Sequence, residues 1–126
     1  VSTFYAEVQR LRRLLDAVEA GGPPVLVLID EMYRGTNNRE RLAGARALVR
    51  RLAGADAASL VATHDLALTR LAGDVPAVRN AHFREEAVGG RLRFDYRLRE
   101  GPCPTTNALV IMADAGLPVE PPDDDA

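Results

Sequence analysis

The sequence contains no lysine, no tryptophan and a single cysteine among its 126 residues, and two of these scarcities limit what the chain can do. All 16 basic side chains are arginines. The phosphate-binding motif Gly-x-x-x-x-Gly-Lys-Ser/Thr requires a lysine against the β- and γ-phosphates, so this sequence does not contain that motif. The lone Cys103 cannot form a disulfide within the chain, which favours a reducing compartment, and we expect the protein to be cytoplasmic.

Long apolar segments and a strong charge of one sign are also missing. Apolar runs such as Val25–Ile29 are far shorter than the roughly 20 residues of a membrane helix, so we expect no membrane span. The formal net charge is −2, and several of the acids lie in the last residues of the chain. The rest of the sequence is close to neutral, whereas a nucleic-acid-binding domain is usually strongly basic. Any contact with DNA is therefore expected to be local or to come from regions outside this chain.

The apolar pattern of the first half predicts alternating helices and strands. Its first segment carries an apolar stripe at steps of three and four residues, formed by Phe4, Val8, Leu11, Leu15 and Val18. Such spacing is typical of an amphipathic helix. Val25–Ile29 is apolar at every position, which indicates a strand covered on both faces in a parallel sheet. After a polar loop at 30–38, a helix over about 39–53 and a strand over 59–62 continue the alternation, and this order predicts an α/β fold.

The second half predicts a different arrangement, an antiparallel hairpin followed by a helix. Residues 78–85 and 91–98 flank Val88-Gly89-Gly90, a sequence suited to a tight turn between two strands. A last helix is predicted over about 107–115. The tail over 119–126 is rich in proline and aspartate and is predicted to be disordered.

Two adjacent carboxylates, Asp30 and Glu31, follow the first strand directly. Ligands of open α/β sheets bind beyond the carboxyl ends of the strands, so this pair is placed at a candidate site. In phosphoryl-transfer enzymes one carboxylate holds hydrated Mg²⁺ and another orients the attacking water. A strand that simply ends in solvated acids gives the same pattern, so the pair alone leaves both interpretations open.

Two further segments are predicted near the same edge. His64 follows the strand at 59–62, and it emerges beside Glu31 if the two strands are neighbours. A histidine there could donate a hydrogen bond to a γ-phosphate, while capping or surface exposure is the structural alternative. Gly35, Thr36 and Asn37 allow a backbone to approach a phosphate or a facing subunit closely, but they are also ordinary turn residues. Asp65 is placed to cap a short helix through Leu71.

Taken together, these segments resemble the second half of the ATPase domain of the MutS family, a branch of the ABC ATPases. Ser2–Glu7 is similar to the signature segment, Val25–Glu31 to the Walker B strand, Arg34–Asn37 to the D-loop, and Ala62–His64 to the histidine switch. Gly116–Pro118 resembles the end of the family's domain. The motifs occur in the family's order. The resemblance implies the C-terminal half of an ABC-type P-loop ATPase over residues 1–118, with its P-loop outside this sequence.

The resemblance also implies roles for the matching residues. Asp30 would bind Mg²⁺ through water, Glu31 would act as the general base or water-orienting group, and His64 would sense the γ-phosphate of ATP. Ser2 would reach the γ-phosphate held by a second copy of the domain, with Gly35–Asn37 along that dimer interface. The implied function is that of a DNA mismatch repair or MutS-like ATPase. It would couple ATP binding and hydrolysis to DNA transactions through DNA-binding regions outside this chain.

One segment departs from the pattern of the mismatch-recognising members. Those members commonly have Gly-Thr-Ser-Thr, whereas this chain has Gly-Thr-Asn-Asn at 35–38, which looks more like the MutS-related bacterial proteins. Two alternatives remain. One is a catalytically inactive ABC-fold module for DNA binding or dimerisation, against which the retained Asp30 and Glu31 argue. The other is a different ABC ATPase branch of DNA maintenance, against which the signature segment and the Gly-Leu-Pro ending argue.

Overall fold

The structure is a computed structural model that describes residues 3–89, 91–104 and 108–121, without the side chain of Ala87. The chain divides into two compact units, residues 1–79 and residues 80–126. The elements of the first unit are α1 (Thr3–Glu19), β1 (Val25–Asp30), α2 (Asn38–Ala53), β2 (Ala57–Ala62), α3 (Leu66–Thr69) and a 3₁₀ turn (Arg70–Gly73). These elements confirm the predicted alternation of helices and strands.

The two strands of the first unit form a parallel pair. Their register runs from Val25 opposite Ala57 to Asp30 opposite Ala62, so both strands end at the same level. Parallel neighbours need a crossover connection, and α2 supplies it between β1 and β2. The parallel α/β arrangement expected from the sequence is therefore present in the described part of the chain.

The core of the first unit lies on one face of this pair. Val27 and Ile29 of β1 are buried there, because alternate side chains of a strand point to the same face. Helix α1 packs on β1 and helix α2 packs on β2. The buried core cluster consists of Val18, Val27, Ile29, Met32, Ala45, Leu48, Leu52 and Leu68.

The other face of the strand pair is open, which corrects the expectation that the first strand is covered on both faces. Leu26 and Leu28 are each 64% exposed and Leu60 is 66% exposed. Because α1 and α2 both pack on the face that carries Val27 and Ile29, the described elements leave the alternate positions of β1 and β2 facing solvent. Within the described residues, the continuous apolar run of β1 is thus buried on one face only.

The predicted apolar stripe of α1 is also corrected at one position. Val8 is 36% exposed, whereas Glu7, the residue before it, is half-buried. Phe4 and Glu7 are three residues apart and share a helix face, so the carboxylate takes the inward place expected for Val8. Backbone hydrogen bonds to this carboxylate, described below, offset the cost of partly burying it.

The second unit contains β3 (Ala81–His82), β4 (Glu85–Val88), β5 (Arg91–Phe94), β6 (Arg99–Glu100) and α4 (Ala108–Asp114). The predicted antiparallel hairpin is present, since β4 and β5 pair and Gly89 in their turn has φ +58°, but its first strand lies at Glu85–Val88 and not at 78–85 as predicted. Gly90, part of the predicted turn, and residue 107, the predicted start of the last helix, lie outside the described residues.

The hairpin strands are shorter than predicted, because a turn interrupts the segment expected to run over 91–98. Asp95 Oδ1 accepts a hydrogen bond from the Arg97 amide at 3.0 Å, and Tyr96 between them has φ +58°. An aspartate that bonds the backbone two residues ahead favours a turn over a strand. The chain then resumes as β6, which pairs antiparallel with β3.

Within the described residues, no helix is long and apolar enough to cross a membrane.

Candidate functional site

The carboxyl ends of β1 and β2 bring the predicted acids and histidine together. Beyond the last strand pair, Asp30 with Ala62, the Glu31 amide donates to the Ala62 carbonyl at 2.9 Å. This bond extends the parallel ladder by one residue and places Glu31 next to the segment that leaves β2. The expectation that Glu31 and His64 emerge at one sheet edge is confirmed.

The carboxylate of Glu31 is held by the chain that leaves β2. Its Oε1 accepts a hydrogen bond from the His64 amide at 2.7 Å, and its Oε2 lies 3.5 Å from the Thr63 hydroxyl. The side chain is 18% exposed, so it is largely shielded while still reachable from solvent. The backbone of Glu31 has φ +62°, a left-handed conformation uncommon for a residue other than glycine. Strand β2 thus fixes the backbone of this residue, and the two residues that follow β2 contact its carboxylate.

Asp30 has a different environment from its neighbour. It is exposed on the open face of the strand pair, where Leu28 also lies. Among the described residues, no hydrogen bond or ion pair engages the Asp30 carboxylate. A free, hydrated carboxylate suits Mg²⁺, which keeps several waters and uses only one or two protein carboxylates. No group of three or more His, Cys, Asp or Glu that could hold a metal ion occurs in the described part of the chain.

The imidazole of His64 is fully exposed and stands beside Glu31. Its Nε2 lies 3.9 Å from Glu31 Oε1. The backbone around it is fixed, because Thr63 Oγ1 accepts from the Asp65 amide at 3.0 Å and Asp65 Oδ1 accepts from the Ala67 amide at 3.0 Å. The predicted capping role of Asp65 is confirmed. The ring is therefore presented to solvent on a well-defined turn.

The predicted D-loop residues pack against α1 and cap α2. A Cβ on Gly35 would lie 2.6 Å from Phe4 Cβ, so only glycine fits at this point. The Thr36 hydroxyl donates to Glu40 Oε2 at 2.9 Å, and Asn37 Oδ1 accepts from the Glu40 amide at 2.9 Å. Asn37 is the N-cap of α2, a position that favours asparagine because its side-chain oxygen satisfies a free amide.

Glu7 is a site residue to which sequence reasoning assigned no role. From α1, its Oε2 accepts from the Tyr33 amide at 2.5 Å and its Oε1 accepts from the Arg34 amide at 3.2 Å. The signal in the sequence was a single acid at the inward position of an otherwise apolar helix face. Burial and, secondly, the charge of Glu7 raise the pKa of the Tyr33 phenol. Ser2, predicted to contact a partner's γ-phosphate, lies outside the described residues.

A comparison with known protein families identifies the family to which these segments belong. The family model of MutS domain V matches residues 1–121, nearly the whole chain. The chain belongs to the MutS domain V family. The match covers the strand end with Asp30 and Glu31, the turn with His64 and the loop at 35–37.

Three curated relatives of this MutS domain V chain have similar sequences. The DNA mismatch repair protein MutS 2 of Haloarcula marismortui is 36% identical over 118 residues, which are 93% of this chain and 12% of the relative. The DNA mismatch repair protein MutS of Natronomonas pharaonis is 36% identical over 118 residues, 93% of this chain and 13% of the relative. That of Aquifex pyrophilus is 33% identical over 121 residues, 95% of this chain and 14% of the relative. The chain therefore spans a small part of the length of the relatives it matches.

Proposed function

We propose that this chain is the C-terminal part of a MutS-type ATPase domain that hydrolyses ATP with Mg²⁺. The observation that carries the proposal is the placement of two unlike carboxylates at the shared end of two parallel strands. Asp30 is exposed and unpaired among the described residues, while Glu31 is shielded and held by the next strand. Adjacent acids in different environments can take different roles in one reaction.

Glu31 orients the attacking water in this proposal. Its carboxylate is fixed by the His64 amide, so its position does not have to be organised during the reaction. The exposed imidazole of His64 can donate a hydrogen bond to a γ-phosphate oxygen from the same edge. Asp30 would hold Mg²⁺ through water, and the ion would supply charge stabilisation for the transferred phosphoryl group.

The phosphate-binding half of the site is assigned to residues outside this sequence. The chain has no lysine, and a P-loop lysine is the group that contacts the β- and γ-phosphates in ATPases of this type. The proposed fold is accordingly the C-terminal half of an ABC-type P-loop domain. The open face of β1 and β2 is consistent with a larger sheet domain, since parallel sheets are normally covered on both faces.

The proposed active unit is a dimer that acts on DNA. Ser2 and the loop Gly35–Asn37 would line the interface with a second copy of the domain. DNA would be bound mainly by regions outside this chain, since the chain itself has no strong basic character. The proposed role of the whole protein is DNA mismatch repair or a related MutS-like DNA transaction.

The substitution Glu31→Gln in the full-length gene product tests the proposal. The amide keeps the shape of the side chain but cannot accept the proton of the attacking water. Steady-state ATP turnover should fall by at least about a hundredfold, as for loss of a general base, while ATP binding is retained. Glu19→Gln, a carboxylate lost from an exposed part of α1, serves as the matched control.

Turnover by the Glu31→Gln protein at the wild-type rate would remove Glu31 from the mechanism. Absence of ATP turnover in the wild-type protein would instead favour the inactive ABC-fold module for DNA binding or dimerisation. Binding titrations with ATP and Mg²⁺, measured beside turnover, separate these two results.

A further inference from the structure

Glu7 joins helix α1 to the loop that follows the Walker B strand. Its two carboxylate oxygens accept from two consecutive backbone amides, those of Tyr33 at 2.5 Å and Arg34 at 3.2 Å. The residues are 26 and 27 positions apart in sequence, so the contact is tertiary. Hydrogen bonds from amides to an ionised carboxylate are stronger than those between neutral groups. One side chain therefore holds the backbone of this loop from outside it.

The loop has a backbone that requires such support. Glu31 has φ +62° and Tyr33 has φ +57°, so two non-glycine residues within three positions adopt the left-handed conformation. Conformations of this kind persist only where surrounding contacts hold them. Hydrogen bonds to Ala62 and His64, at and after the end of β2, fix Glu31 at the start of the loop. Hydrogen bonds to Glu7 fix Tyr33 and Arg34 further along it.

Packing of α1 and α2 around Tyr33 also confines the loop. The Tyr33 ring lies 6.4 Å from the Phe4 ring of α1, centroid to centroid. A Cβ on Gly44 of α2 would lie 3.0 Å from Tyr33 Cε2, so α2 also approaches the ring closely. Gly35 lies directly against Phe4. The loop is thus fixed by α1 and α2, and Glu7 provides its hydrogen bonds from α1.

We propose that Glu7 is a positioning residue for ATP hydrolysis, acting through the loop to keep the Glu31 carboxylate aligned. The inference rests on the proposed function of Glu31. Loss of the Glu7 bonds frees the backbone at Tyr33 and Arg34, two and three residues after Glu31. The left-handed turn then relaxes, and the Glu31 carboxylate leaves the geometry set by the His64 amide. The chemical step is slowed while nucleotide binding, which uses other groups, is retained.

The test compares Glu7→Gln and Glu7→Ala with Glu31→Gln in the full-length gene product. Glutamine keeps one acceptor oxygen for the two amides and alanine keeps none, so the loss should grow from Gln to Ala. We expect kcat to fall about tenfold or more with KM nearly unchanged, as for misplacement of a catalytic group. Amide hydrogen exchange at Tyr33 and Arg34 should rise about tenfold or more, matching loss of hydrogen bonds to a charged acceptor.

Glu19→Gln is the matched control on the same helix. Glu19 accepts two hydrogen bonds from Arg51 and lies at the opposite end of α1 from the loop. Its loss should leave exchange at residues 31–36 and kcat unchanged. If Glu7→Ala unfolds the protein globally, seen as fast exchange throughout α2, the milder Glu7→Gln variant decides.

The outcomes separate this inference from the proposed function. Wild-type kcat and wild-type loop exchange in both Glu7 variants, with Glu31→Gln inactive, would overturn the positioning role and leave the proposed function intact. A fall in kcat without faster loop exchange would also overturn the role, because the effect would not pass through the loop. Wild-type turnover in Glu31→Gln would overturn the proposed function and the inference that rests on it.

Discussion

Glu31 is the residue on which most of the candidate site depends. Its left-handed backbone places the carboxylate against the exit of β2, where the His64 amide and the Thr63 hydroxyl reach it. A glutamate is an uncommon choice for φ +62°, since glycine and asparagine adopt this region at lower cost. The conformation costs on the order of 1 kcal/mol or more and is maintained by contacts from two sides. We infer that glutamate occupies this position because of the contacts of its carboxylate, although its backbone does not readily adopt this conformation.

Tyr33 provides a test at the residue scale that depends on pH. Burial and, secondly, the Glu7 carboxylate raise the pKa of its phenol above that of an unfolded chain. A raised folded-state pKa contributes stability that is fully present below the unfolded pKa of about 10 and is lost as the pH rises through the folded pKa. Tyr33→Phe should therefore weaken the loss of stability at alkaline pH, measured by urea unfolding at several alkaline pH values.

Tyr5→Phe is the control for that measurement, because its ring is 55% exposed on the same helix that carries Glu7. This variant should lose stability at alkaline pH as the wild type does. An equal change in both variants would show that the effect does not come from Tyr33.

At the scale of elements, helix α2 begins directly after the segment that resembles the family's D-loop. Asn37 caps the helix because its side-chain oxygen accepts from the Glu40 amide, and the Glu40 carboxylate accepts a hydrogen bond from the Thr36 hydroxyl. The same polar residues that the resemblance places along a dimer interface thus have a role within the chain. A short polar segment can serve both purposes, because the capping bonds fix its backbone and leave its outer surface available.

The capping role predicts a difference between two substitutions at one position. Asn37→Ala should lower the free energy of unfolding by about 1 kcal/mol, since the Glu40 amide loses its acceptor. Asn37→Asp keeps an acceptor oxygen in the same place and should be nearly as stable as the wild type. Urea unfolding followed by circular dichroism measures both. Equal stability of all three proteins would show that the cap contributes little.

At the largest scale, the strand pair of the first unit has one covered and one open face within the described residues. Leu26, Leu28 and Leu60 on the open face are each more than three-fifths exposed. The absence of lysine belongs to the same scale, because it decides which parts of the proposed ATP site this chain can supply. It has an acidic edge and a histidine turn, and no P-loop lysine.

Because the chain lacks the P-loop lysine, we predict that the 126-residue chain by itself does not bind ATP saturably. The phosphates would lack the lysine and the P-loop amides that normally hold them, and Asp30 would offer only a hydrated carboxylate. Isothermal titration calorimetry with ATP and Mg²⁺ should show no binding isotherm for the chain and a clear one for the full-length gene product. Saturable binding by the chain alone would refute the assignment of the phosphate site to residues outside it.

The sequence by itself indicated the order of elements in the first unit and a parallel sheet, and it grouped Glu31 with His64 on the condition that the two strands are neighbours. These follow from apolar periodicity and from the rule that parallel strands end at one edge, which are local or topological properties. It also indicated the turn at Gly89 and the cap at Asp65, since each depends on a few neighbouring residues. The family resemblance rested on the same short segments.

Tertiary structure alone decided the open sheet face, the inward turn of Glu7 and the different environments of Asp30 and Glu31. An apolar strand has the same pattern whether one or both faces are covered, because coverage depends on which helices pack there. A glutamate within an apolar stripe is tolerated only when distant amides satisfy its charge, and those of Tyr33 and Arg34 come from another part of the chain. Contacts between residues far apart in sequence carry no local signal, and these contacts set the geometry of the candidate site.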